Sequence, residues 1–199
     1  MTETTKTAYL DTSILANWML LYRRKRKGRR VKPPTYAKHA RQCMTLLSEI
    51  EHRKYSCRLI TSTYAFAELG QSARDSRTAV KIIRDGLSLN WYNRLKKRYP
   101  LRRKEQTDIM RSIESFHNFL ERLGIEIMEP IITQQDVNQI ALKHSLEVND
   151  ATHVVIAKWA KVDFLITADQ DFLECKPKIR KPEVMVPPTL ATRPELRRR

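Results

Sequence analysis

Residues Asn149 to Asp169 read NDATHVVIAKWAKVDFLITAD. Asn149 and Asp150 are both residue types that cap helix N-termini, and one or the other opens a helix that runs to about Ala160 (ATHVVIAKWA). The run that follows, Asp163 to Thr167 (DFLIT), is short and apolar at its centre, as a strand covered on both faces would be. Asp169 stands two residues past its end. A helix that feeds its chain straight into a doubly covered strand belongs to an α/β protein.

The same alternation extends outward from this stretch. Four further β-like runs are Thr7 to Leu10 (TAYL), Arg58 to Thr61 (RLIT), Ile125 to Met128 (IEIM) and Glu183 to Val186 (EVMV). Helical segments are expected over Ser13 to Tyr22, Tyr36 to Tyr55, Thr63 to Ala73, Thr78 to Leu89, Thr107 to Leu123 and Thr133 to His144, on apolar spacings of three and four. Gly124 is a suitable residue to end the fifth of these. Strands separated by helices imply a parallel sheet with right-handed crossovers. The long span between the second and third strands is nearly all helical. The chain therefore reads as one domain over residues 1–187, embellished by a basic insert at 23–34 and a helical region at 75–123. Residues 188–199 form a Pro- and Arg-rich tail, expected to be an extended arm.

Charge is the second informative feature. Lys and Arg number 38 against 22 Asp and Glu, a net charge of +16. A polyanionic partner, nucleic acid before an anionic membrane surface, is the natural inference. The excess is clustered. Arg23 to Lys32 (RRKRKGRRVK) holds eight basic residues in ten, and Arg94 to Lys104 (RLKKRYPLRRK) holds seven in eleven. The ordinary alternative for one such cluster is a solvated loop. Two of them beside an acidic site favour phosphate contacts, made by Arg23, Arg24, Lys25, Arg26, Lys27, Arg29 and Arg30 in the first and Lys96, Lys97, Arg98, Arg102 and Arg103 in the second. Trp91 and Tyr92 border the second cluster, where base stacking is an option beside plain packing.

Several classes drop out. The four glycines, at 28, 70, 86 and 124, form neither GxGxxG nor GxxxxGK. Cys43, Cys57 and Cys175 are scattered, with no CxxC, which argues against zinc and against a disulfide framework and suits reduced cytoplasmic thiols. No apolar run approaches the ~18 residues of a membrane span, and the first residues lack the apolar core of a signal peptide.

In open parallel sheets, sites form beyond the carboxyl ends of the strands. Asp11 directly follows the first strand, and Asp169 follows the fourth. The helix opened near Asp150 runs antiparallel to the fourth strand, so its N-terminus returns to the same edge. Glu68 lies one to two turns into the helix after the second strand, among Ala65, Phe66, Ala67 and Leu69. Each acid alone has an ordinary reading: Asp11 and Asp150 as helix caps, Glu68 as a helix-surface residue, Asp169 as a turn residue. Together, carboxylates gathered at one edge repel unless a cation sits among them. Oxygen-only ligands without His or Cys suit Mg²⁺ or Mn²⁺. Such a centre can polarise a phosphodiester and activate water. His153, three residues after Asp150 on the same helix face, reads first as a packed or rim residue and second as a phosphate contact.

The segments YLDTS (Tyr9 to Ser13), FAEL (Phe66 to Leu69), NDATHVVIA (Asn149 to Ala157) and FLITADQDF (Phe164 to Phe172) resemble the four motifs of the PIN-domain nucleases, in that family's order and over about Ala8 to Val186. The resemblance implies a three-layer α/β/α fold around a parallel five-stranded sheet and metal-dependent cleavage of single-stranded RNA. It implies metal-site acids at Asp11, Glu68, Asp150 and Asp169, with Asp171 as an auxiliary. It gives Thr167 a supporting hydroxyl, and Thr12 or Ser13 the orientation of a water or of Asp11. Many small members are VapC-type toxins of toxin–antitoxin pairs, usually homodimers, so an antitoxin protein is an implied partner. The basic insert, the long 75–121 region and the extreme charge depart from the compact toxin pattern and would fit a structured RNA. The alternatives are a non-catalytic or DNA-directed nucleic-acid-binding protein of the same fold. A phosphotransfer protein ranks lower, because Thr12 and Ser13 follow Asp11 where a second acid or a DxDxT run is needed.

Overall fold

The computed structural model describes residues 5–26, 40–175, 179–187 and 193. Five strands, β1 (Thr7–Leu10), β2 (Arg58–Ser62), β3 (Glu126–Met128), β4 (Phe164–Ile166) and β5 (Glu183–Met185), form one sheet. All pairings are parallel, in the order β3-β2-β1-β4-β5. The expected strands are all present, trimmed or extended by a residue at their ends.

The strands are apolar throughout because both faces of the sheet are covered. Successive side chains point to opposite faces. Ala8 and Leu10, Leu59, Phe164 and Ile166, and Met185 enter one core; Tyr9, Ile60, Leu165 and Val184 enter the other. The first core is closed by α1 (Thr12–Arg26), α2 (Ala40–Glu51), α3 (Thr63–Arg84) and α5 (Arg103–Arg122), through Leu15, Trp18, Leu46, Leu69, Phe116 and Leu120. The second is closed by α6 (Gln134–His144) and α7 (Val148–Trp159), through Val137, Val154 and Ala157, and by Phe172 of α8 (Gln170–Cys175). This is a three-layer α/β/α sandwich. The chain runs β1 to β2 to β3 toward one edge, then crosses back to β4 and β5. Right-handed connections send the helices of the two halves to opposite faces.

Several helix boundaries differ from the sequence reading, among them the start of α5, at Arg103 and not Thr107. The first helix starts at Thr12 and continues past Tyr22 to Arg26; the second begins, within the described residues, at Ala40 and ends at Glu51. Thr63 to Leu89 is not two helices: α3 is continuous to Arg84. Residues 74–77 (RDSR) interrupt the apolar pattern without breaking the backbone, because they contain neither Gly nor Pro. The buried stripe of Ala65 and Leu69 resumes at Thr78 and Ile82. Ser62 caps this helix by accepting a hydrogen bond from the Ala65 amide at 3.2 Å. Neither Asn149 nor Asp150 is the cap of α7, which begins at Val148 after Glu147; Asp150 lies in its first turn, where a carboxylate complements the helix dipole.

Beyond α3 the chain makes an excursion the periodicity did not show. A 3-10 turn (Leu89–Trp91), a single turn α4 (Tyr92–Leu95) and a second 3-10 turn (Lys96–Arg98) lead into α5. Lys81 anchors this excursion to α3 by donating to Glu105 at 2.6 Å and to the Pro100 carbonyl at 3.0 Å. The basic insert beyond Arg26 and the C-terminal tail, apart from Arg193, lie outside the described residues.

Phe116 is fully buried and stacks near Phe119 and Phe66 in the first core. Phe116→Ala is expected to lower unfolding free energy by about 3–5 kcal/mol. Leu142→Ala, at an exposed position, should change it by less than about 0.5 kcal/mol. Urea denaturation of the two variants measures the contrast.

Candidate active site

The strand order reverses between β1 and β4, which are neighbours although their onward connections diverge. A crevice opens there beyond the carboxyl ends. The Asp11 amide donates to the Ile166 carbonyl at 3.2 Å, extending the ladder one residue past β1. The Asp11 side chain is therefore delivered to the crevice by sheet pairing alone.

Asp11 is almost wholly buried. Its Oδ1 accepts hydrogen bonds from the Ser13 hydroxyl at 2.7 Å and the Ile14 amide at 3.2 Å. Ser13 Oγ in turn accepts from the Ala168 amide at 2.8 Å and lies 3.5 Å from Thr167 Oγ1. Thr167 Oγ1 accepts from the Asp169 amide at 2.9 Å. Ser13 and Thr167 thus clamp the loops that follow β1 and β4 and hold the two acids' backbones together. Burial pushes the Asp11 carboxyl above its ordinary range, against the opposing pull of His153, Thr167, Ser13 and Ile14. The desolvation of a carboxylate at that position outweighs the attraction of His153 and its hydrogen bonds.

Glu68 is held differently. Its Oε2 accepts from the Thr12 hydroxyl and lies 2.6 Å from His153 Nε2. His153 Nε2 is also 3.0 Å from Thr12 Oγ1, and its Nδ1 is 2.8 Å from the Tyr9 hydroxyl, which reaches Ser62 Oγ at 2.8 Å. Two proton assignments satisfy these contacts: Ser62 to Tyr9 to a neutral His153 Nδ1, or a charged His153 Nδ1 to Tyr9 to Ser62; in both, His153 Nε2 and Thr12 donate to Glu68. Burial would raise the Glu68 pKa, but the His153 hydrogen bond and charge, with Thr12 and Tyr64, outweigh it and hold the carboxyl below the usual range. Glu68 is thus kept ionised beside an Asp11 that burial drives toward protonation.

The structure brings Asp11, Thr12, Ser13, Glu68, Asp150, His153 and Asp169 to the walls of one cleft of about 420 Å³. Asp75 and Glu147 add further acids to its rim. Thr167 stands behind the wall, fully buried. Among the described residues, no group of three or more His, Cys, Asp or Glu side chains is arranged to hold a metal ion. The acids line the cleft without converging on one point. Asp171 belongs to α8 by its backbone; its side chain lies outside the described residues. So do those of Arg23, Arg24, Lys25 and Arg26, and the whole of Lys27, Arg29 and Arg30. Lys96, Lys97, Arg98, Arg102 and Arg103 sit on the excursion after α3 and do not line the cleft.

His153 is the residue whose importance sequence reasoning undervalued. Packing was the favoured reading, and it is buried; yet it also bonds an acid of the cleft. Tyr9 and Ser62 were not singled out at all. Tyr9 precedes Asp11 by two residues, and by strand alternation its side chain leaves the Leu10 face to meet α7.

No protein-family model and no curated protein matches this chain. Among solved structures, the crystal structure of PAE2754 from Pyrobaculum aerophilum is similar over 92% of this chain and 87% of its own, at 14% identity and a TM-score of 0.45. No helix among the described residues is long and apolar enough to cross a membrane.

Because the folded-state pKa of Asp11 is raised, its contribution favours folding below the ordinary value of 3.8 and is lost as pH rises through the folded value. Asp11→Asn removes the burden of a buried charge. In EDTA the variant should melt higher than the parent at neutral pH, and the gain should shrink as pH falls toward the ordinary carboxylate range. Thermal melts across pH measure this, and a variant less stable at neutral pH would contradict it.

Proposed function

We propose that this chain is a metal-dependent endoribonuclease of the PIN-domain type, hydrolysing RNA phosphodiester bonds. One observation carries the reading: acids at adjacent ends of β1 and β4, at the point where the strand order reverses, share a cleft with Asp150 and Glu68. The four sequence segments that resemble the family motifs supply these same residues. The net charge of +16 supports a polyanionic substrate.

The donor chemistry fits Mg²⁺ or Mn²⁺. The cleft offers carboxylate oxygens from Asp11, Asp150 and Asp169, and the Asp11 carboxyl is one that a cation would relieve. Mg²⁺ keeps several waters and commonly takes one or two carboxylates plus substrate phosphate, so acids that line a cleft without converging suit it. When bound, such an ion supplies a polarised phosphoryl group and a more acidic water. The chain's own groups supply the rest. Ser13 orients Asp11, Thr167 fixes the Asp169 backbone, and His153 with Thr12 holds Glu68 ionised at the cleft wall. A cytoplasmic site of action, a homodimer and an antitoxin partner belong to the same proposal through the family resemblance.

Digestion of RNA and single-stranded DNA in parallel, with Mg²⁺, with Mn²⁺ and with EDTA, is the direct test. RNA should be cut in either metal and spared in EDTA. Asp11→Asn should abolish cleavage while leaving RNA binding in EDTA intact. His153→Ala should lower kcat/KM by about 10–100-fold, the usual effect of removing a residue that orients a metal-facing carboxylate. Cleavage that persists in EDTA, or in Asp11→Asn, refutes the mechanism. Cleavage of DNA alone moves the substrate. Neutralising Arg23 to Arg30 should flatten the fall of RNA affinity with salt, by about 0.7 in log–log slope for each lost phosphate contact.

A further inference from the structure

The wall of the cleft does not end at Glu68. Along α3, Gln71, Ser72 and Asp75 continue it by two turns. Gln71 donates to both Asp75 oxygens, at 3.0 and 2.9 Å. The buried Tyr92 hydroxyl stands beside the Asp75 carboxylate, and burial together with that neighbour raises the phenol's pKa while the phenol helps to lower that of Asp75. The excursion at residues 88–103 therefore begins where the acidic cleft ends.

That excursion is basic and aromatic together. Trp91 is 52% exposed and Trp159 43%, while Trp18 is fully buried; of the two exposed indoles, Trp91 is the one set in a basic segment. The Arg94 guanidinium lies over the Trp91 ring at 5.0 Å, and Lys96 Nζ lies 5.8 Å from the Tyr92 ring centroid. Leu89 beside it is also exposed. Lys97, Arg98, Arg102 and Arg103 follow within twelve residues. The segment is held in place by Lys81 through Glu105 and Pro100, and by Tyr99, whose hydroxyl donates to Asp85 at 2.8 Å. A solvent-facing indole with a guanidinium over one face, in a basic segment that meets the rim of the cleft through Tyr92 and Asp75, suits unpaired bases: the other π-face for the base and charges for its phosphates. Arg and aromatic residues also mark protein interfaces, but seven basic residues and no acid between Arg94 and Lys104 favour a polyanion.

We infer that residues 88–103 form a single-stranded RNA platform at the mouth of the cleft, with a base stacked on Trp91 and the flanking phosphates taken by Arg94, Lys97 and Arg98. The inference rests on the nuclease reading only for the identity of the polyanion.

The test is fluorescence anisotropy of a short labelled single-stranded oligoribonucleotide with the full chain in EDTA, where no cleavage enters. Trp91→Ala should weaken binding by about 5- to 150-fold, the effect of losing one stacked base. Trp91→Phe should recover most of it, and Trp159→Phe should bind like the parent. A blunt RNA duplex of the same sequence should bind parent and Trp91→Ala alike, because its bases are already stacked. Replacing Arg94, Lys97 and Arg98 together by Gln should lower the log–log salt slope by about 2. Undiminished binding by Trp91→Ala, an equal loss on duplex, or a change in sedimenting mass that marks Trp91 as a self-association face would overturn the platform. Cleavage with an indifferent Trp91 leaves the nuclease standing without the platform. Trp91-dependent binding without cleavage in any metal does the reverse.

Discussion

A buried imidazole favours partners for both ring nitrogens, and His153 takes one from the sheet and the others from the opposite helical layer. Its Nε2 meets Glu68 of α3 and Thr12 of α1, and its Nδ1 meets Tyr9 of β1. His153 itself belongs to α7, in the opposite helical layer. One side chain thus ties the two layers of the sandwich together at the carboxyl edge of the sheet. In a low-dielectric setting such a network is strong when complete and costly when broken. The spacing of α3 from α7, and with it the width of the cleft, depends on that link.

Two acids of the cleft are consequently prepared in opposite ways. Asp11 is buried by sheet geometry with hydrogen bonds that only partly offset desolvation, so its pKa rises. Glu68 is met by an imidazole and a hydroxyl, so its pKa falls. Carboxylates a few residues from strand ends are common; carboxylates pushed apart in proton affinity within one cleft are the arrangement that functional sites use. The acidic pocket sits in a protein of net charge +16. Under the proposed function, long-range attraction for a polyanion and local affinity for a cation would coexist, one set by the whole surface and the other by a few side chains.

The length of α3 connects these two scales. Its first turns carry Glu68 to the cleft, its middle carries Gln71 and Asp75 along the rim, and its end holds the excursion through Lys81. Had the helix broken near Ala73, as the polar stretch suggested, the basic and aromatic residues of 88–103 would have no fixed relation to the acids. The continuous helix fixes where that segment stands relative to the cleft, through Lys81 and through Asp75 beside Tyr92.

The α/β class, the five strands and the parallel sheet were legible in the chain because doubly buried strands and amphipathic helices leave periodic marks that need no knowledge of neighbours. Asp11 and Asp169 were legible as a pair for the same reason: each directly follows a strand, and parallel strands end at one edge. Asp150 lies at the expected edge, in the first turn of α7 and not at its cap, because a cap and a first-turn residue differ by local dihedrals that the side-chain pattern does not report. The continuity of α3 and the turns at residues 89–98 escaped because surface residues carry no period. The Tyr9–His153–Glu68 network could not be read at all. Its members lie 59 and 85 positions apart at their closest and farthest from Glu68, and hydrogen bonds across layers obey no spacing rule. Residue types and local periodicity came from the sequence; which buried polar groups satisfy one another was decided only when the layers closed.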